Sequence, residues 1–133
     1  MKKVVDIVLK VLLSLLIVMP IIGAFGVMPA PTADLYNSPD AFAFISILMS
    51  SKYIMYINAI VFATAFVLMW TKRMALAAIL ILPITVNIVA FHLFLDGGLF
   101  TPGAIMGDLL GIINLYFIWD QREHYLPLLK KSN

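Results

Sequence analysis

No cysteine occurs anywhere in this chain. Disulfides, thiolate metal sites and thiol redox chemistry by the protein itself are therefore excluded, while the compartment stays open. Charge is scarce as well. Only 12% of residues are charged, and the formal net charge of +2 is dispersed along the chain. A nucleic-acid surface needs a concentrated basic patch, and none is present. No nucleophile–base pair, phosphate loop or metal constellation stands out, so independent catalysis is not indicated. A chain of 133 residues that is 63% hydrophobic has no room for a soluble catalytic domain beside its apolar part.

What fills the chain instead is a set of four long apolar runs, at 4–28, 53–70, 75–95 and 104–119. A bilayer core of ~30 Å takes about 20 helical residues to cross. The first three runs meet that length. The fourth spans only about 24 Å at 1.5 Å per residue. Local thinning of the bilayer or extension of the helix into residues 120–124 makes up the difference. The expected fold is all-α: one polytopic domain with four transmembrane helices in an antiparallel bundle. Its partner of first resort is the lipid bilayer. Met1-Lys2-Lys3 before an apolar stretch is also the start of a secretory signal peptide. The run is longer than a typical h-region, and Pro29-Ala30-Pro31 is a poor cleavage context, so a retained first helix is expected.

Basic residues set the expected orientation. Lys2, Lys3 and Lys10 begin helix 1, Lys72 and Arg73 separate helices 2 and 3, and Arg122, Lys130 and Lys131 follow helix 4. Lys52 alone falls on the other side. The positive-inside rule then places both termini in the cytoplasm, with the 29–51 loop and the 96–103 turn outside. Asp6 and Lys10 form an i,i+4 pair suited to the inner surface. Pro20 is expected to kink helix 1.

Within the outer loop, Ser38-Pro39-Asp40 is a helix start, with Ser38 as N-cap and Pro39 at the first helical position. Residues 41–49 then form a short helix with almost no polar face. Such a helix is expected to lie in the outer leaflet against the spanning helices. Gly103, Gly107 and Gly111 recur every four residues, with Asn114 on the same stripe. Small residues at that spacing let helices pack closely in lipid, and Asn114 can hydrogen-bond across the seam. Ala59 and Ala63 do the same for helix 2. Asn87 follows Pro83 by one turn and is expected to bond to a freed backbone group or a neighbouring helix.

Polar residues inside a bilayer are candidates for function. His92 shares a helix face with Asp96 four residues on and with Thr85 seven residues back. Asp108 has similar depth in helix 4, and Lys52, Tyr53 and Tyr56 lie at the outer end of helix 2. Convergence of His92, Asp96, Asp108, Tyr56 and Lys52 on one outward-facing ligand pocket is the expectation carried forward. The alternative is plain structural hydrogen bonding at helix ends. Metal chemistry is not expected: a closed site wants three or four ligands, and His92 and His124 fall on opposite membrane sides. His92 as a single axial ligand leaves heme open, but nothing else in the chain favours it.

The stretch Leu80-Ile81-Leu82-Pro83-Ile84-Thr85-Val86-Asn87-Ile88-Val89-Ala90-Phe91-His92-Leu93-Phe94-Leu95 resembles the third helix of DoxX-like bacterial membrane proteins. These carry a similar Pro–x–x–x–Asn run followed by Phe–His–x–Phe–Leu. Met28-Pro29, Ala41-Phe42 and Lys52-Tyr53-Ile54, with the four-helix layout, are similar too. Many members have an acidic residue in helix 2, where this chain has Asn58. The resemblance implies a multi-pass protein of the bacterial inner membrane. It also implies an accessory subunit of a membrane assembly, in contact with another membrane protein or a further copy of itself. Some members are described as quinone-linked oxidoreductase subunits, which makes quinone the cofactor to consider. A small transporter or channel subunit is the remaining alternative.

Overall fold

The computed structural model describes residues 1–26 and 29–133. Among the described residues the chain is helical with no strand. Its helices are α1 (Lys2–Ala24), α2 (Pro39–Ser51), α3 (Tyr53–Trp70), α4 (Met74–Phe94), α5 (Ile105–Asp120) and α6 (Arg122–Tyr125). Single 3-10 turns occupy Ala33–Leu35, Pro102–Ala104 and Leu126–Leu129. Four helical stretches are long and apolar enough to cross a membrane: α1, α3, α4 and Pro102–Asp120, in which a 3-10 turn lengthens α5.

The distribution of exposed side chains agrees with a lipid-facing surface. Leu15, Ile60, Val86 and Ile112 sit within these helices, yet each has more than half its surface exposed. Contiguous apolar surface of this kind in water marks an interaction or aggregation site; in hydrocarbon it carries no penalty. The buried core is correspondingly thin. Leu13 and Ile17 of α1 meet Phe62 and Met69 of α3, Ala78 and Ile81 of α4, and Ile113 and Phe117 of α5. Consecutive long helices pack on one another, and α1 also touches α5. Ala59 is buried as expected for a packing position, but Ala63 is exposed and Ala65 takes the second buried place.

Several boundaries move for local reasons. The helical part of α1 ends at Ala24, where Phe25 and Gly26 bond back to Ile22 and Gly23 and Gly26 adopts φ +74°. Glycine tolerates that conformation without a Cβ clash. The last two residues of the expected first run, 27 and 28, lie outside the described residues. At the other end of the chain α5 stops at Asp120, and α6 resumes after Gln121.

The contacts at the N-terminal end of α1 also differ from expectation. Asp6 does not pair with Lys10. It accepts from Lys2 Nζ at 2.7 Å and from the Tyr116 hydroxyl at 2.7 Å, while Lys2 also reaches Asp120 at 2.8 Å. Lys2, four residues before Asp6, is on the same face and can bridge to α5, so it displaces Lys10 as the partner. Tyr125 donates to the Ala75 carbonyl at 2.7 Å, tying α6 to α4. Burial raises the pKa of this phenol and so favours its donor form.

The placement of α2 matters most for the site. Ser38 caps its start, accepting from Ala41 N at 3.0 Å, and Pro39 is its first residue. The Ser38 hydroxyl also donates to the Leu95 carbonyl just past α4. At the far end Lys52 alone joins α2 to α3, with φ +66°. Both ends of this apolar helix are therefore fixed, one to α4 and one to α3. Phe44 stacks on Phe91 with ring centroids 5.7 Å apart.

Candidate functional site

The structure brings His92 and Asp96 together. His92 Nδ1 lies 3.3 Å from Asp96 Oδ2, with side-chain exposures of 13% and 3%. The nitrogen is buried and has no partner of hydrogen-bond geometry. The other carboxylate oxygen of Asp96 is occupied. It accepts from Asn37 N at 2.8 Å, and Asn37 Nδ2 donates to the Asp96 carbonyl at 3.0 Å. Asp96 is thus a clamp that holds the approach to α2 against the end of α4. A buried carboxylate needs such donors. Burial, and secondarily the Asp96 charge, raises the nearby Tyr36 phenol.

The other three residues of the expected outer pocket do not join this pair. Lys52 and Tyr56 line a separate hollow at the end of α1, with Gly23, Phe25 and Met55. The Tyr56 ring lies 6.3 Å from that of Phe25. Asp108 is half-buried in the first turn of α5 and forms no ion pair or hydrogen bond with His92 or any other described residue. The reason is rotational. On α5 the neighbours Gly107 and Gly111 face α4, so the adjacent Asp108 is turned away from that seam.

The glycine stripe behaves differently along its length. A Cβ at Gly107 would lie 3.0 Å from His92 Cδ2 and 3.1 Å from Ile88 Cγ2. At Gly111 it would lie 3.0 Å from Val89 Cγ2. Gly103, by contrast, is exposed and would make only an ordinary 3.8 Å contact with Asp96. Asn114 is fully buried and donates to the Ala78 carbonyl at 3.0 Å, as its place on the stripe predicts. Asn87 departs from expectation. It is exposed and makes no side-chain hydrogen bond among the described residues.

Asn87 instead lines a cleft of about 620 Å³ between α3 and α4, roofed by α2. Apolar walls come from Phe44, Ile45 and Leu48 of α2, Ile54 of α3, and Pro83, Ile84, Ile88 and Phe91 of α4. Three polar side chains interrupt them: Asn58, Asn87 and His92. Asn58, like Asn87, forms no side-chain hydrogen bond among the described residues. A largely apolar cavity of this size with a few polar groups is the usual form of a small-molecule site. The sequence marks each of the three polar residues as unusual within an apolar helix. It does not show that they share a wall, because α3 and α4 are apolar on every face and their rotation is not encoded in a periodic stripe.

Among the described residues no group of three or more His, Cys, Asp or Glu side chains is placed to hold a metal ion. Comparisons with family models, curated proteins and solved structures find no match to this chain.

Proposed function

We propose that this chain is a DoxX-like accessory subunit of a bacterial inner-membrane assembly that holds a lipophilic molecule. In this reading the four long helices cross as an antiparallel bundle with both termini in the cytoplasm, and α2 lies in the outer leaflet. The observation that carries the binding role is the cleft beneath α2, with apolar walls on three helices and three polar side chains. Its size suits a lipophile, which the surrounding bilayer can supply laterally. Purification in mild detergent followed by mass spectrometry tests the reading. A co-purifying lipophile or membrane partner is expected; a monodisperse monomer carrying neither overturns it.

A second reading is a quinone-linked redox subunit. It is favoured by one arrangement: His92 lines the cleft while the Asp96 carboxylate stands 3.3 Å behind its Nδ1. An imidazole backed by a carboxylate is suited to exchanging a proton with a bound oxygen. Quinone enrichment in the lipid extract is the expected result for this reading, and its absence removes it.

The orientation has its own test. With no native cysteine, one introduced at Asp34 is expected to react with an impermeant thiol reagent on intact cells. One at Ser132 is expected to stay unlabelled. The reverse pattern inverts the topology.

A further inference from the structure

We infer that the cleft selects an uncharged amphiphile, one whose head carries a hydroxyl or carbonyl group and whose chain lies along the apolar wall. The inference rests on the lipophile-binding reading and specifies the chemical class. It comes from the polar groups that the cleft contains. Asn58 on α3 and Asn87 on α4 each present an amide with both donor and acceptor capacity, and neither is hydrogen-bonded to the protein among the described residues. In a low-dielectric cleft, amides without partners are costly. A ligand head that both donates and accepts offsets that cost.

Charge is disfavoured from two directions. No Lys, Arg, Asp or Glu is among the described lining residues, so a phosphate or ammonium head would lose its hydration without a counter-ion. The Asp96 carboxylate stands behind His92, with Oδ2 3.3 Å from His92 Nδ1 and Oδ1 accepting from Asn37 N. Its field opposes an anion in the cleft. It is almost fully buried and is not among the described lining residues, so a cationic head in the cleft has no carboxylate to contact. The aromatic stack of Phe44 on Phe91 closes the α2 side over apolar material. A neutral head with one or two hydrogen-bonding atoms is the chemistry left.

Photo-crosslinking of the full chain in phosphatidylcholine nanodiscs tests this. Three probes share a sixteen-carbon chain with a mid-chain diazirine: an alcohol, a permanently charged sulfate and a quaternary ammonium. The alcohol is expected to label peptides containing residues 44–48 or 83–92, with unlabelled hexadecanol competing, and the charged probes to label them several-fold less. Asn58→Leu and Asn87→Leu are each expected to lower alcohol labelling about fivefold, the equivalent of one hydrogen bond. The wild-type comparison of three heads stands even where a variant fails to fold. Equal labelling by charged and neutral probes overturns the class while leaving a lipophile cleft in place. Failure of all three probes to label these peptides overturns the cleft reading itself.

Discussion

Asn37 and Asp96, 59 residues apart in sequence, are joined by two short hydrogen bonds at the point where α4 ends and α2 is about to begin. The Asn37 backbone N–H meets the Asp96 carboxylate at 2.8 Å, and its side-chain amide meets the Asp96 carbonyl at 3.0 Å. Asp96 is the only buried charged residue among the described residues. Its placement fixes the roof of the cleft, so structure at the loop is linked to the shape of the cavity.

Asp96→Ala is therefore expected to destabilise the protein by about 2–3 kcal/mol, since hydrogen bonds to a charged acceptor are the stronger kind. Asp96→Asn keeps one acceptor oxygen and should lose less. Thermal unfolding in detergent measures both, and limited proteolysis of the 29–38 segment reads whether the approach to α2 has come loose. Equal stability of wild type and Asp96→Ala would show that the clamp contributes nothing.

The three stripe glycines separate packing from coincidence of spacing. Gly107→Ala forces a Cβ to 3.0 Å from the His92 ring and 3.1 Å from Ile88. Overpacking of this sort costs about 1–3 kcal/mol, and Gly107→Leu should cost more by separating α5 from α4. Gly103→Ala meets nothing closer than 3.8 Å and is expected to be neutral or slightly stabilising. Unfolding midpoints of the two alanine variants in one detergent make the comparison. A Gly103 variant as damaged as the Gly107 variant would contradict the packing of α4 on α5.

Much of the fold is legible in the residues, for reasons that differ by element. Apolar runs reveal the long helices because bilayer thickness sets their length. Ser38-Pro39 marks the start of α2 because capping is local chemistry. Asn114 reveals a helix–helix bond because an amide in such a stripe has few other outlets. The site is less legible. His92 and Asp96 are paired because they are four residues apart on one helix. Lys52, Tyr56 and Asp108 share only depth with them, and depth leaves helix rotation undetermined. Asn37 meets Asp96 across 59 residues of sequence, a separation that no local pattern encodes. Asn58 and Asn87 line one cleft because α3 and α4 are neighbours under α2.

Energetic coupling distinguishes the pair that touches from the one that does not. His92→Ala and Asp96→Ala are expected to be non-additive, with an interaction of about 0.5–3 kcal/mol, because removing either leaves the other without its neighbour. His92 and Asp108 share no hydrogen bond or ion pair, and their alanine variants should add within about 0.5 kcal/mol. Double-mutant cycles on detergent-solubilised protein give both numbers. Strong coupling between His92 and Asp108 would revive the five-residue pocket, and none between His92 and Asp96 would reduce their 3.3 Å approach to proximity without consequence.

Lys52 carries the sharpest conformational prediction. It closes α2 by donating to Leu48 O at 3.1 Å and opens α3 by accepting from Tyr56 N at 3.0 Å. To do both in one residue its backbone takes φ +66° and ψ −32°, a region that L residues with a Cβ seldom enter. Such strain costs about 1–3 kcal/mol. Glycine removes the Cβ clash but raises the entropy of the unfolded chain by about 0.4–1 kcal/mol. The first effect is larger, so Lys52→Gly is expected to raise stability by about 1 kcal/mol, a shift of a few degrees in unfolding midpoint. Lys52→Ala loses the same exposed ammonium while keeping the strain, and is the control. If both variants behave alike, the side chain and not the backbone decides, and the corner between α2 and α3 is not strained. If glycine alone stabilises, Lys52 has been holding α2 over the cleft at a measurable conformational cost. The same variant should then be labelled less by the alcohol probe, because a freer corner lets the roof move.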